Sequence, residues 1–156
     1  MTEWKTAMKE LKVGNGRKVS NGEDIALVTI GHPGNFALEA IKNLKEKGIT
    51  AAHYDMRFVK PIDEVMLHEV FAKFDKVITI EDGCVMGGFG SAVIEFMADN
   101  NYHAQVRRLG IPDAYVHHGT QKELWKDCGY DASGIEVAVK EMLNYSEEEL
   151  AKEKMG

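Results

Sequence analysis

The feature that most constrains this chain is the alternation of short, continuously apolar runs with longer amphipathic segments. The clearest apolar runs are residues 25–30 (IALVTI) and 77–80 (VITI). A run without polar interruption is typical of a strand that is buried on both faces, because a strand with one wet face alternates instead. Buried strands that alternate with helices indicate βαβ units arranged around a mostly parallel sheet.

The segments between these runs carry the start and stop signals of helices. Asn35 is a candidate N-cap for a helix that reaches Leu44, and Gly48 fits a left-handed residue beyond its end. Further strands are predicted at 49–54 and 105–109. The remaining helix signals are Pro61-Ile62-Asp63, a helix over 89–99 after the glycine-rich turn, the Thr120–Glu123 capping box, and Asp131 ahead of Ile135, Val137, Val139 and Met142.

These signals predict one α/β domain over residues 24–143, with three α/β/α layers and a mostly parallel five-stranded sheet. Residues 1–23 form a lead-in in which Leu11 and Val13 alternate with polar neighbours, so an edge strand or hairpin around Asn15-Gly16 is predicted. A helical start would place Trp4, Met8 and Leu11 on one face. Residues 144–156 are a charged C-terminal tail.

The length, charge and cysteine content of the chain disfavour several classes of function. A length of 156 residues allows one core, and a net charge of −6 disfavours nucleic acid or an anionic membrane as the main partner. No apolar run approaches the roughly 20 residues that a bilayer span needs, and the first residues lack a secretory apolar region. Cys84 and Cys128 do not make a disulfide framework. A cytoplasmic protein is therefore expected.

The glycine-rich turn over residues 81–91 carries the most distinctive local chemistry. It lies between a strand and a helix, where backbone N–H groups could cradle an anion. A phosphate-binding loop would need lysine where Phe89 stands, and a dinucleotide motif would need glycine where Val93 stands. Glu81 and Asp82 add negative charge at its mouth. A sharp turn with close helix–sheet packing is favoured, and an interface or ligand pocket is the alternative; the candidate residues are Glu81, Gly87, Gly88, Gly90 and Ser91.

Two cations follow the second predicted strand. Arg57 and Lys60 could bind a carboxylate, a phosphate or an acidic loop of a partner. The favoured alternative is a structural ion pair with Glu81 or Asp82, because arginine pairs well with carboxylates.

Other candidate residues carry weaker signals. His117 and His118 are adjacent and point opposite ways in an extended chain, so they do not chelate one metal easily, and no metal site is predicted. A loop hydrogen bond is favoured for them over acid–base chemistry. Cys84 at a helix N-terminus could be a nucleophile, although Glu81 and Asp82 oppose a thiolate there. A small hydrolase or redox protein using Cys84 or His118 is thus a further hypothesis.

Three ordered motifs together resemble a known family. They are residues 55–63 (DMRFVKPID), residues 80–83 (IEDG) with 86–91 (MGGFGS), and residues 109–121 (LGIPDAYVHHGTQ), closed by 129–131 (GYD). Their order and spacing resemble the C-terminal domain of the 1-deoxy-D-xylulose-5-phosphate synthase family in the transketolase superfamily. The resemblance runs from about residue 13 to residue 143.

The resemblance implies a parent enzyme that condenses pyruvate with glyceraldehyde 3-phosphate, releasing carbon dioxide, in isoprenoid precursor synthesis. Its thiamine diphosphate and Mg²⁺ would be held by two preceding domains, which are also the expected partners within a homodimer. This chain would contribute no catalytic residue, bind no cofactor alone and be inactive by itself. The alternative is a free-standing C-terminal subunit of a split transketolase or 2-oxo acid dehydrogenase-like enzyme, which docks on a partner chain.

Overall fold

The computed structural model describes residues 10–145, so the expectations for Trp4, for Met8 and for the tail beyond residue 145 lie outside the described residues. None of the helices in this part of the chain is long and apolar enough to cross a membrane. The elements, in chain order, are β1 (Arg17–Ser20), β2 (Ile25–Thr29), α1 (Gly34–Glu46), β3 (Ala51–Asp55), α2 (Glu64–Lys73), β4 (Lys76–Cys84), α3 (Phe89–Asp99), β5 (Gln105–Ile111), α4 (Gln121–Asp127) and α5 (Ala132–Met142).

The five strands form one sheet in the order β1-β3-β2-β4-β5. Strands β2 to β5 are parallel, and β1 lies antiparallel against β3 with Arg17 opposite Asp55. We call the side of the sheet where the parallel strands finish the carboxyl edge. Because β1 runs the other way, the lead-in enters the sheet at this same edge. The predicted mostly parallel, five-stranded α/β fold is confirmed.

The two faces of the sheet have separate cores, which explains the continuous apolar runs. On one face Leu27 and Ile78 pack with α1 and α5, and on the other Val28 and Val77 pack with α2 and α3. Every residue of β2 is buried. Val137 differs from the prediction, because it lies on the outer side of α5 and is 47% exposed.

Several helix ends follow their sequence signals. The Thr120–Glu123 capping box and the Asp131 cap are both present, and Gly48 is left-handed with φ +80°. The predicted Asn35 cap is wrong. The chain already takes helical dihedrals at Pro33, so the helix begins one residue earlier than Asn35 and has no side-chain cap.

Asp63 holds the start of α2 and the lead-in together. One carboxylate oxygen accepts from Met66 N at 3.0 Å and caps the helix, and the other accepts from Gly16 N at 2.8 Å. This side chain thereby helps to fix the lead-in to the carboxyl edge. The edge strand predicted around Asn15-Gly16 is β1, which begins at Arg17; Leu11 and Val13 lie outside it and are exposed.

Two strands are longer than their apolar runs. Beyond Ile80 the register of β4 and β5 shifts, and Cys84 then pairs with Ile111. The glycine-rich turn consequently starts as a continuation of β4. The strand predicted over 49–54 is β3, which spans Ala51–Asp55, and Ile49 lies buried ahead of it.

Candidate interface at the carboxyl edge of the sheet

The turn between Glu81 and α3, residues 82–88, is called the elbow below. The Glu81 side chain is buried, and its two oxygens accept hydrogen bonds from Phe89 N at 2.8 Å and Gly90 N at 2.9 Å. These amides open α3 and have no partners within the helix, and the positive end of the helix dipole favours an anion there. The anion position at this helix end is therefore filled by the chain's own carboxylate.

Close packing explains Gly88 at the end of the elbow and Gly90 in the first turn of α3. A Cβ on Gly88 would lie 2.2 Å from Cys84 O and 2.2 Å from Glu81 Oε2. A Cβ on Gly90 would lie 2.5 Å from Thr79 Oγ1. Gly87 differs, because it faces open space but has φ +70°, a conformation that glycine adopts at little cost. The geometry is that of the predicted tight turn.

Ser91 and Arg108 brace the elbow from the α3 and β5 sides. Ser91 Oγ accepts from Gly87 N at 3.0 Å and donates to Val85 O at 3.2 Å. Arg108 Nη1 donates to Ser91 Oγ at 2.9 Å and to Val85 O at 2.6 Å. The sequence pattern indicates no role for Arg108, because only the pairing of β4 with β5 brings it to the elbow.

Asp82 is also engaged within the domain. Its Oδ1 accepts from the Tyr130 hydroxyl at 2.8 Å. Burial, reinforced by this hydrogen bond to a carboxylate, raises the pKa of Tyr130 above its ordinary value. The phenol thus stays a donor, and the Asp82 side chain is held against the start of α5.

The predicted ion pair of Arg57 or Lys60 with Glu81 or Asp82 is not formed. Glu81 bonds to the start of α3 and Asp82 to Tyr130, so neither carboxylate turns to the cations. Within residues 10–145, the Arg57 guanidinium and the Lys60 ammonium have no ion pair or hydrogen bond.

The backbone at Arg57 is unusual. Arg57 has φ +58°, and Phe58 N donates to Met56 O across it at 2.5 Å, closing a three-residue turn. The Arg57 N–H itself donates to Asp55 Oδ1 at 3.3 Å. A left-handed conformation costs a non-glycine residue about 1–2 kcal/mol. The loop after β3 therefore carries backbone strain at a residue whose side chain has no partner in the described part of the chain.

A groove of about 550 Å³ opens between the loop after β3 and the elbow. Its exposed apolar side chains are Val59, 37% exposed, and Met86, 62% exposed. His117 and His118 do not line it; they are exposed on the loop after β5, where the His117 ring lies 5.7 Å from that of Tyr115. The groove is lined by Ile30, Gly31, Val59, Glu81, Asp82, Gly83, Cys84, Met86, Gly87, Gly88 and Phe89.

The described residues do not fit a metal–diphosphate group. Residues 10–145 contain no cluster of three or more metal-ligating side chains, and Glu81 takes the helix N-terminus that a diphosphate would use. Cys84 is an exposed free thiol, and no histidine of the described chain forms a hydrogen bond with it. Nucleophile activation by a neighbouring base is thus without geometric support here.

A family model and two sequence relatives match most of this chain. The family model described as "Transketolase, C-terminal domain" matches residues 14–135. The chain is 61% identical over 142 residues to the 1-deoxy-D-xylulose-5-phosphate synthase of Cytophaga hutchinsonii, covering 91% of this chain and 22% of that protein. It is 46% identical over 143 residues to the enzyme of Porphyromonas gingivalis, covering 92% and 23%.

A solved structure shows the same fold. It is described as "Split gene transketolase, inactive beta4 tetramer", and it superposes with a TM-score of 0.80 at 33% identity over 87% of this chain and 44% of that one. The chain spans less than a quarter of the curated relatives that it matches. With its parallel sheet, braced elbow and open carboxyl edge, the chain belongs to the transketolase C-terminal domain family.

Proposed function

We propose that this chain is the non-catalytic C-terminal domain of a thiamine-diphosphate-dependent 1-deoxy-D-xylulose-5-phosphate synthase. The observation that carries the proposal is 61% identity to such a synthase over nine-tenths of this chain but only 22% of the relative. The complete enzyme condenses pyruvate with glyceraldehyde 3-phosphate and releases carbon dioxide. It acts in isoprenoid precursor synthesis as a cytoplasmic homodimer.

The cofactor belongs to the rest of the enzyme. Thiamine diphosphate and Mg²⁺ supply the carbanion chemistry of the reaction, and the preceding domains bind them. The filled helix N-terminus at Glu81 supports this division of labour, because it leaves no free amides at α3 for a phosphate. The contribution of this chain is a folded surface for those domains.

The candidate site residues take interface roles in this proposal. Glu81, Gly87, Gly88, Gly90 and Ser91 build a rigid wall, since their polar groups and close contacts are satisfied internally. The loop with Arg57 and Lys60 presents charges that have no partner in residues 10–145. The loop with His117 and His118 lies exposed on the same edge.

A chimera tests the proposal. The 142 matched residues of the Cytophaga hutchinsonii relative are replaced by this chain, and product formation from pyruvate and glyceraldehyde 3-phosphate is measured. We expect activity within roughly tenfold of the relative. The relative truncated before the exchanged region is the control, and this chain alone should show neither activity nor calorimetric binding of thiamine diphosphate with Mg²⁺. A chimera that folds, binds the cofactor and forms no product contradicts the proposal, as does micromolar cofactor binding by the chain alone.

The similarity to a split-gene transketolase supports a second candidate, a free-standing subunit that docks on a partner chain carrying the other domains. The DNA upstream of Met1 separates the two candidates. A reading frame continuous with Met1 indicates a single-chain synthase. A start codon at Met1 without upstream coding sequence indicates a split subunit.

A further inference from the structure

We infer that the groove between Val59 and Met86 is the docking site for the preceding domains, and that it receives an apolar side chain flanked by carboxylates. This inference rests on the proposed function, and it assigns the contact between this chain and the preceding domains to one surface. The groove, the strained loop beside it and the entry point of the lead-in carry it.

The entry point of the lead-in places the preceding domains at the carboxyl edge. Strand β1 begins opposite Asp55, the last residue of β3, and Gly16 N is bound to Asp63 at the start of α2. The matched relatives are more than four times longer than the region they share with this chain. Their upstream domains thus join the sheet beside the loop after β3. A short tether gives such a domain a high effective concentration at this edge.

Exposed apolar side chains concentrate at the same edge. Eight large hydrophobic residues are exposed in the described chain, and two of them, Leu38 and Val137, lie on the helices α1 and α5. Val59 and Met86 line one groove, and grouped exposed hydrophobics of this kind mark an interaction surface. Those on the carboxyl edge or the lead-in are Leu11, Val13, Val59, Val65, Met86 and Tyr115.

The charges beside the groove favour an acidic partner. Glu81 is buried against the start of α3 and Asp82 accepts from the neutral Tyr130 hydroxyl, so neither carboxylate pairs with Arg57 or Lys60. Arg57 and Lys60 flank Val59 and have no ion pair within residues 10–145. Strain at Arg57 is typical of a residue whose conformation is kept for function. In a chain of net charge −6, two unpaired cations at one loop complement carboxylates on the docked surface.

Hydrogen exchange locates the contact without any substitution. The isolated chain and the chimera described above are compared residue by residue. We expect the amides of residues 57–60 and 85–88 to exchange roughly tenfold more slowly in the chimera. Residues 100–104, in the loop on the opposite edge of the sheet, serve as the internal control and should not change. Protection at 100–104 without protection at 57–60 and 85–88 overturns the inference.

Matched variants test the chemistry of the contact. In the chimera, the pair Val59→Asp and Met86→Asp should reduce product formation by roughly tenfold and remove the exchange protection, since both charges enter an apolar contact. Val137→Asp, a valine of similar exposure on α5, is the control and should stay within about twofold. Each variant is first checked for an unchanged melting temperature as an isolated chain.

A charge-reversal pair completes the test. The double variant Arg57→Glu and Lys60→Glu should also reduce product formation by the chimera roughly tenfold. The control, Lys42→Glu with Lys45→Glu on α1, should leave product formation unchanged. Full activity and protection in both groove variants overturn the docking inference and leave the proposed function intact. An inactive unsubstituted chimera overturns the proposed function itself.

Discussion

Strands β3 and β4 lie on either side of β2, and they end in loops of opposite character. At the end of β4, the polar groups in and around the elbow are used internally: Glu81 bonds to the start of α3, Asp82 to Tyr130, and Ser91 to the elbow backbone. After β3, Arg57 is strained and the cations of Arg57 and Lys60 have no partner within residues 10–145. Glycine content alone would draw attention to the elbow and miss the loop that carries the unpaired cations.

The contrast shows how structural and interacting residues differ physically. A buried carboxylate with two charge-assisted hydrogen bonds stabilises the folded chain by itself. A left-handed arginine costs stability through its backbone conformation, and its unpaired charge remains available to a group outside the domain. The loop after β3 therefore has the energetics expected of a surface that is completed by another domain.

The largest expected effect separates the two reasons for glycine in the elbow. Gly88→Ala should cost more than about 3 kcal/mol of unfolding free energy, because its Cβ would meet a backbone carbonyl and the Glu81 carboxylate. Gly87→Ala should cost only about 1 kcal/mol, since it meets backbone strain and no atom. Urea unfolding measures both. Equal losses would contradict the close-packing account of Gly88.

The pH dependence of the unfolding free energy tests the burial of His53 in β3. His53 bonds to Thr29 Oγ1 through Nε2 at 2.8 Å, and its Nδ1 has no partner in the described chain. Burial lowers the pKa of His53 from 6.5 to about 4. Between these values the unfolded chain binds a proton that the folded chain refuses, so stability should fall by roughly 3 kcal/mol as the pH drops through this window.

Substitution can identify the residue responsible for this dependence of the unfolding free energy on pH. His53→Gln should flatten the dependence of unfolding free energy on pH between 4 and 6.5, because the titrating group is gone. His103→Gln, at an exposed histidine, should keep the slope. Parallel curves for the wild type and His53→Gln would assign the acid sensitivity to other groups.

A smaller effect tests the anion position of the elbow. Glu81→Gln should cost about 2 kcal/mol, because the amide offers one acceptor oxygen to two buried N–H groups and brings no charge to the helix end. Glu95→Gln, exposed on α3, should change the unfolding free energy by less than about 0.5 kcal/mol. A Glu81→Gln loss as small as the control would show that this carboxylate is dispensable.

The smallest expected effect has the opposite sign. Arg57→Gly should raise the unfolding free energy of the isolated chain by up to about 1 kcal/mol, because glycine adopts φ +58° without strain. The same substitution should reduce product formation by the chimera, since it removes a cation of the proposed docking site. Destabilisation of the isolated chain by Arg57→Gly would remove the distinction between the two loops.

Much of the fold could be predicted from local patterns. Continuous apolar runs identify the buried strands, and the Thr120–Glu123 box and Asp131 identify helix starts, because each signal is confined to a few neighbouring residues. The role of Glu81 was harder to predict. Its charge suggested repulsion of an anion, yet the strand alternation with Thr79 already turns it toward the α3 face. Arg108 could not be predicted, because its contact depends on the register of two strands.

The shared carboxylate of Asp63 gives the domain a mechanical property. One oxygen secures Gly16 of the incoming chain and the other secures Met66 in the first turn of α2. A pull on the chain upstream of Gly16 is therefore transmitted to the helix cap before it reaches the sheet. The first turn of α2 is thereby coupled mechanically to the incoming chain through one carboxylate.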